Sequence, residues 1–429
     1  MTEQRPSLRL ALVVVAVIGL AGCAGPAASP SAQLTAVPSV LGTWTASPRP
    51  STTPTLAPTS TPTAPPTLKF VATGSMHTAR SSATATLLPN GKVLIVGGMS
   101  ALPLTQDFYA SAELYDPATG KFTKTGSMTA ARAQHTATLL ADGRVLIAGG
   151  NGCPDPRQCS GVFIGDVKAL ASAELYDPKT GKFSPTGSMA TARWGATATL
   201  LPDGRVLVAQ GILGGLPSAE LYDPKSGVFA RAGKEIIGSG AAASASLLPS
   251  GKVLLTASVV GIPPVGALYD EASGKFKKIS FALAPGASPS AQGKGQTVEL
   301  GYGPAIVLKD GRVLLFEGGH LETYEPATGA CADAGFISPD GLWLEVTATL
   351  LNDGRVLFLG GALFPSDSTS VAAASAVLYD PAGGPQTIGS MRSARANQTA
   401  TLLPNGTVLI AGGQDANGKP LASAELFKP

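Results

Sequence analysis

The sequence predicts an all-β chain in which seven similar units, each of four short antiparallel strands, follow one another and close on themselves. Three observations predict it. A turn dipeptide followed by a short apolar, β-rich run occurs seven times, at Asn90-Gly91, Asp142-Gly143, Asp203-Gly204, Ser250-Gly251, Asp310-Gly311, Asp353-Gly354 and Asn405-Gly406. A second turn of the ELYDPATGKF type follows in six of the units, from Glu113, Glu174, Glu220, Ala267, Glu322 and Val377. The stretch TLKFVATGSM, residues 67–76, repeats the end of a unit, as in GKFTKTGSM from Gly120 and GKFSPTGSM from Gly181, although no unit stands before it.

The first two strands of a unit, a and b, flank the Asn-Gly or Asp-Gly turn, whose residues tolerate the positive φ angles of a two-residue hairpin loop. Strands c and d flank the second turn, where proline presets φ early and the glycine four residues after the Asp takes the left-handed conformation that closes a longer loop. Successive first-turn glycines are 43 to 61 residues apart, a spacing that suits four-stranded units set around an axis and is too long for a simple solenoid. The last unit ends in ASAELFKP and lacks strand d. The segment LKFVATG is expected to supply it, with Phe70 and Val71 pairing beside the strand at Glu425, which would close the ring.

This pattern resembles the kelch family of β-propellers, a likeness shared with the central domain of galactose oxidase. The matching residues are the glycine doublets Gly97/Gly98, Gly149/Gly150, Gly360/Gly361 and Gly412/Gly413, the tyrosine of LYD in six units, and the Met-x-x-Ala-Arg segment that opens several of them. The resemblance covers about residues 67–429. It implies an all-β, seven-bladed kelch-type β-propeller with four antiparallel strands per blade, its last blade completed by an N-terminal strand at about 67–74. Three units depart from the pattern, with Gln210-Gly211, Ala257-Ser258 and a doublet one residue late at Gly318/Gly319.

Residues 1–22 have the layout of a secretory signal, with Arg5 and Arg9 ahead of an apolar run from Leu10 to Leu20 that is too short to span a bilayer comfortably. The run ends in Leu-Ala-Gly-Cys, which resembles a bacterial lipobox and implies cleavage before Cys23 and acylation of its sulfur, a stable anchor in a cell membrane with the chain on the extracytoplasmic face. The segment 23–66 is Pro, Ser, Thr and Ala almost throughout, which cannot bury a core and reads as an extended stalk. Charged residues are 14% of the chain and the net charge is +3, so nucleic-acid binding is not expected. The propeller is expected to be monomeric and to need no cofactor.

Cys153 and Cys159 lie in one insertion of a chain bound for an oxidising compartment and are expected to form a disulfide; a metal pair is the weaker reading, because no histidine is near in sequence. Cys331 replaces the Phe of the second turn and reads as a small buried apolar residue.

The a–b and c–d turns are tight, whereas the b–c and d–a connections vary widely, so any binding site is expected on the face that carries the latter, around the central channel. Arg80, Arg132, Arg193 and Arg395 each lie 11 residues before a turn glycine. They are either a ligand-facing ring for an acidic group or, as favoured by the matching occurrence of Glu113, Glu174, Glu220 and Glu425 in the same units, four structural bridges. The residues beside them differ from unit to unit and are the candidates for ligand contact: Trp194, Trp343, His135, Gln134, Asn397 and Gln398, with the indoles suited to a sugar or a protein partner or, alternatively, to packing between blades.

Enzymatic readings find less support. A radical-copper oxidase site needs clustered histidines and a spare tyrosine, whereas His77, His135 and His320 fall in three different units and six of eight tyrosines belong to the LYD strand. The likeness also admits a sialic-acid-mutarotase-like enzyme, for which Glu299, Glu317 or Glu345 with a nearby arginine would be the acid/base group. The sequence therefore reads as a membrane-anchored, non-catalytic binding module for a protein partner or a cell-envelope carbohydrate, with a carbohydrate-active enzyme as the alternative.

Overall fold

Strand b of every unit opens with a continuous apolar run rather than an alternating one, because both of its faces are covered. In the computed structural model, which describes residues 68–101, 105–153, 155, 159–163, 167–211, 218–234, 242–259, 262–280, 303–317, 319–337, 342–364 and 371–429, strand b of the first unit is Val93–Val96 and is fully buried. Val93 and Ile95 pack on Leu409 and Ala411 of the last unit, while Leu94 and Val96 pack on Val145 and Ile147 of the second. Successive side chains of a strand point to opposite faces, so one four-residue run serves two interfaces. The same division recurs, with Leu146 and Ala148 against Val206 and Val208, and Leu357 and Leu359 against Val408 and Ile410.

Among the described residues there are seven four-stranded antiparallel sheets, each ordered a-b-c-d, and no helix. The first runs Thr84–Leu87, Val93–Val96, Ser111–Asp116 and Lys121–Ser127. The seventh runs Thr399–Leu402, Val408–Ala411 and Ala424–Lys428, and its fourth strand is Lys69–Ala72. Each strand a touches strand a of the next sheet, and that of the seventh touches that of the first.

The N-terminal strand pairs where the sequence predicts, with Phe70 opposite Phe427, Val71 opposite Leu426 and Ala72 opposite Glu425. The TGSM that follows it makes a second contact. Thr73 Oγ1 lies 2.8 Å from the Tyr115 hydroxyl and Gly74 N–H donates to Gly120 O at 2.9 Å, so the end of strand d is fastened to the c–d turn of the next sheet. Thr125 with Tyr176 and Thr186 with Tyr222 repeat the contact at 2.9 Å. A side chain on Gly74 would stand 2.3 Å from the Gly120 oxygen, which is why this position is glycine.

Three small sheets not foreseen from the sequence decorate the b–c side. One joins Met99–Ala101 and Thr105–Phe108 of the first unit to Val162–Phe163 of the insertion in the second. The Asp107 carboxylate holds that junction by accepting from Ser160 Oγ at 2.8 Å and Gly161 N–H at 2.7 Å, and these bonds lower its pKa. Cys153 and Cys159 pack in one small cluster with Phe108 beneath this sheet. Both are thiols here, and Cys159, whose pKa burial pushes up, hydrogen-bonds with Cys153. The expected signal, Cys23, the stalk and Glu299 lie outside the described residues.

Candidate functional site

The segment that leads into strand a carries the repeated arginine, and strand c carries the repeated glutamate; the hairpin registers bring them together. Arg80 Nη2 lies 3.2 Å from Glu113 Oε1, Arg132 3.1 Å from Glu174, Arg193 2.9 Å from Glu220 and Arg395 3.0 Å from Glu425. All eight side chains are at most 5% exposed. Each guanidinium has further partners: Arg80 donates to Gly97 O at 2.6 Å, Ser111 O at 2.9 Å and Ser111 Oγ at 3.0 Å. Each carboxylate in turn accepts backbone N–H groups from the loop before the arginine, His77 and Thr78 on Glu113, Thr129 and Ala130 on Glu174.

The pair therefore binds the d–a loop, the start of strand a, the end of strand b and strand c into one hydrogen-bonded unit. The Nε–H groups of Arg132, Arg193 and Arg395 have no partner, but each guanidinium is buried and its Nη atoms are engaged within its own sheet, so Arg80, Arg132, Arg193 and Arg395 stand as internal bridges and not as an open ring of donors. The serine two residues before each glutamate, Ser111, Ser172, Ser218 and Ser423, belongs to the same arrangement. Its sequence signal is the Ser of SAEL, shared by these four units.

The doublet glycines answer to the neighbouring sheet. A Cβ on Gly97, whose φ is +64, would stand 2.4 Å from the Arg132 carbonyl oxygen of the next sheet. The second glycine, Gly98, donates its N–H to that same oxygen at 2.9 Å, and Gly150 to Arg193, Gly361 to Arg395 and Gly413 to Arg80 do likewise at 2.9 Å. The doublet is thus where one sheet's backbone meets the next.

His135 and Gln398, expected at a rim, are buried staples between sheets. His135 Nε2 lies 2.8 Å from Thr84 Oγ1, and burial, aided by Arg132, lowers its pKa to about 3, so the ring is neutral at physiological pH. Gln398 donates to Leu359 O at 2.8 Å. Cys331, expected to be buried, is half-buried, and its thiol is pushed up to about 11 by burial.

Positions two residues after the arginine form a different set. Ser82, Gln134, Gly195, Glu345 and Asn397 all have φ between 50 and 61, and four of the five are not glycine. Four of them are joined in sequence by three backbone bonds: Ser82 N–H donates to Asn397 O at 3.1 Å, Gln134 N–H to Ser82 O at 3.0 Å and Gly195 N–H to Gln134 O at 2.9 Å. They precede the strands a that touch in a closed cycle, so they encircle the axis on the side of the variable connections. Non-glycine residues held left-handed store strain, and such positions cluster at ligand sites. Asn397 Nδ2 donates to Glu345 Oε2 at 2.8 Å, and the Glu345 side chain is exposed. Crowding by protein atoms raises the Glu345 pKa, partly offset by the Asn397 amide.

Trp194, beside Arg193, is half-buried, where its counterparts Ser81, Ala133 and Ala396 are buried. The backbone of Trp343 pairs with Leu363; its side chain, like that of Glu317, lies outside the described set. The arginine expected beside Glu345 is replaced by Asn397.

A kelch motif model matches residues 80–129. No curated protein sequence matches the chain. Among solved structures, the chain is similar to a fungal alcohol oxidase of the AA5 family in complex with copper, at 16% identity over 85% of this chain and 77% of the other, with a TM-score of 0.59. It is also similar to YjhT, at 15% identity over 82% of this chain and 95% of the other, with a TM-score of 0.51. At these identities the likeness concerns the fold, a kelch-type β-propeller. The copper of the AA5 structure finds no counterpart set: His77 bonds Glu113, His135 bonds Thr84 and His320 bonds Asp333, in separate sheets, and no group of three potential ligands occurs among the described residues.

Proposed function

We propose that the chain is a membrane-anchored extracytoplasmic binding module: residues 1–22 are a signal, Cys23 carries the lipid, residues 23–66 are a stalk, and residues 67–429 are a seven-bladed propeller that binds a protein partner or a cell-envelope carbohydrate without transforming it. The observation that carries this reading is the axial set Ser82, Gln134, Glu345 and Asn397. These positions share one strained backbone conformation while their side chains differ, whereas the repeated charges are internal. A uniform scaffold with a varied polar mouth suits recognition of a hydroxyl-rich or amide-rich surface. A glycan array probed with the full chain in detergent, read alongside the shift in melting temperature, tests it. Binding to a glycan supports the carbohydrate arm, and silence in both readouts moves the ligand to a protein.

One observation favours a second reading. Glu345, with its raised pKa at the mouth, has the character of an acid/base group, as a sialic-acid-mutarotase-like enzyme would need. Saturation-transfer NMR of anomer exchange on sialic acid, with and without the chain, decides it; an unchanged exchange rate removes the enzyme.

A further inference from the structure

The fifth sheet keeps the repeated glutamate and lacks everything that satisfies it elsewhere. Glu322 is opposite Leu315 in strand b, as Glu113 is opposite Ile95. Its side chain is 7% exposed. Among the described residues it makes no hydrogen bond and has no arginine, and His320 stands where the four bridged sheets have serine. Its cationic neighbour is His320, whose Nδ1 is 3.8 Å away.

The cross-strand neighbour also differs. Glu113 faces Lys124, Glu220 faces Arg231, and Glu174 and Glu425 face the uncharged Pro185 and Ala72, whereas Glu322 faces a carboxylate, Asp333. Like charges directly opposite on a sheet are destabilising, so this sheet has lost one cation and gained an anion. His320 Nε2 bonds Asp333 Oδ1 at 3.0 Å, and Phe336, 56% exposed, lies with its ring centroid 4.5 Å from that of His320. Asp333 is itself 58% exposed. His320 thus stands between the two carboxylates, Nδ1 toward the buried Glu322 and Nε2 on the exposed Asp333, with the exposed Phe336 ring beside it.

We propose that this cluster is a binding site for a guanidinium group presented from outside the propeller, with Glu322 and Asp333 as its acceptors and Phe336 as the face on which it stacks. The ligand class is read from the molecule itself, since four sister carboxylates at the same register hold a guanidinium Nη2 at 2.9 to 3.2 Å. Guanidinium also suits a paired carboxylate and an aromatic face better than an ammonium does. The contrast in acidity agrees with a missing partner. Burial raises the Glu322 pKa, opposed by His320 and reinforced by Asp333. At Glu113 burial also pushes upward, but its hydrogen bonds and Arg80 outweigh it and the pKa is lowered. This site lies apart from the axial mouth and does not depend on what that mouth binds.

Isothermal titration of the full chain with N-acetyl-arginine amide, and in parallel with the citrulline analogue, tests the proposal. The expected result is saturable binding of the arginine compound, at least about tenfold weaker for citrulline and for the Glu322→Gln and Asp333→Asn variants, the effect of losing one charge-assisted hydrogen bond. Circular dichroism of the variants confirms that they fold, and Asp333→Asn, on an exposed position, guards against a folding failure at Glu322. A further arm compares agmatine with arginine-containing peptides: tighter binding of peptide assigns the site to a protein partner, and equal binding assigns it to a small guanidinium compound. Absence of binding by the native chain, equal affinity for arginine and citrulline, or undiminished binding in both variants overturns the proposal.

Discussion

Phe70 lies directly opposite Phe427 across an antiparallel strand pair, with ring centroids 5.2 Å apart, although one stands near the start of the described chain and the other near its end. The contact joins the first strand to the seventh sheet, and Thr73 and Gly74, a few residues on, fasten the same segment to the first.

Shortening this clasp should therefore destabilise every sheet. Phe70→Ala is expected to cost about 2–3 kcal/mol, below the value for a fully enclosed phenylalanine because Phe70 is only half-buried. Chemical denaturation monitored by intrinsic fluorescence measures it. Deleting residues 67–74 should cost more, whereas deleting residues 30–50 should leave the midpoint unchanged.

The same substitution should have opposite consequences at two tyrosines of the repeat. Tyr115 bonds Thr73, so Tyr115→Phe is expected to cost about 1 kcal/mol. The buried Tyr269 hydroxyl has no hydrogen-bond partner, because Ala232 stands where Thr73, Thr125 and Thr186 stand elsewhere. Tyr269→Phe should be neutral or stabilising by up to about 1 kcal/mol. Midpoints of urea unfolding for the two variants give the comparison.

Removing one member of a buried bridge leaves an uncompensated charge. Arg132→Met should cost about 3–5 kcal/mol, and adding Glu174→Leu should recover much of it. A double-mutant cycle by thermal unfolding measures the coupling.

The two classes of glutamate should respond oppositely to pH. The pKa of Glu113 is lowered on folding, so its contribution to stability is present above the ordinary carboxylate value of 4.5 and is lost as pH falls through the folded value. The pKa of Glu322 is raised, so its contribution is present below 4.5 and is lost as pH rises through the folded value. At neutral pH Glu113→Gln should thus lower the melting temperature and Glu322→Gln should raise it. Melting curves from pH 4 to pH 8 check both signs.

Cys153 and Cys159 are adjacent thiols in one small cluster. In chain secreted to an oxidising compartment, mass spectrometry without reductant is expected to find them linked, a bond contributing about 2 kcal/mol for so short a loop. Alkylation of both thiols without prior reduction would contradict it.

The four-strand repeat was legible in the sequence because its turns are local: Asp-Gly and Asp-Pro dipeptides determine the backbone over a few residues. The Arg80–Glu113 type of pairing was legible because the units, the fifth with its lone Glu322 apart, vary together at both positions. The role of the doublet glycines was not, since Gly97 answers to the carbonyl of Arg132 in another unit. His135 was misplaced at the rim for a similar reason: its partner, Thr84, belongs to the preceding sheet. The axial set was hidden because its shared feature is a φ angle and not a residue type.

Recognition is assigned to the axial residues and not to the repeated charges. The most direct test is the glycan-array signal of the native chain against that of the Glu345→Gln/Asn397→Ala double variant. The predicted result is a glycan signal that the double variant loses while circular dichroism shows it still folded, a modest fall in melting temperature being expected because Asn397 is half-buried and left-handed. A signal that survives in the double variant would contradict the claim.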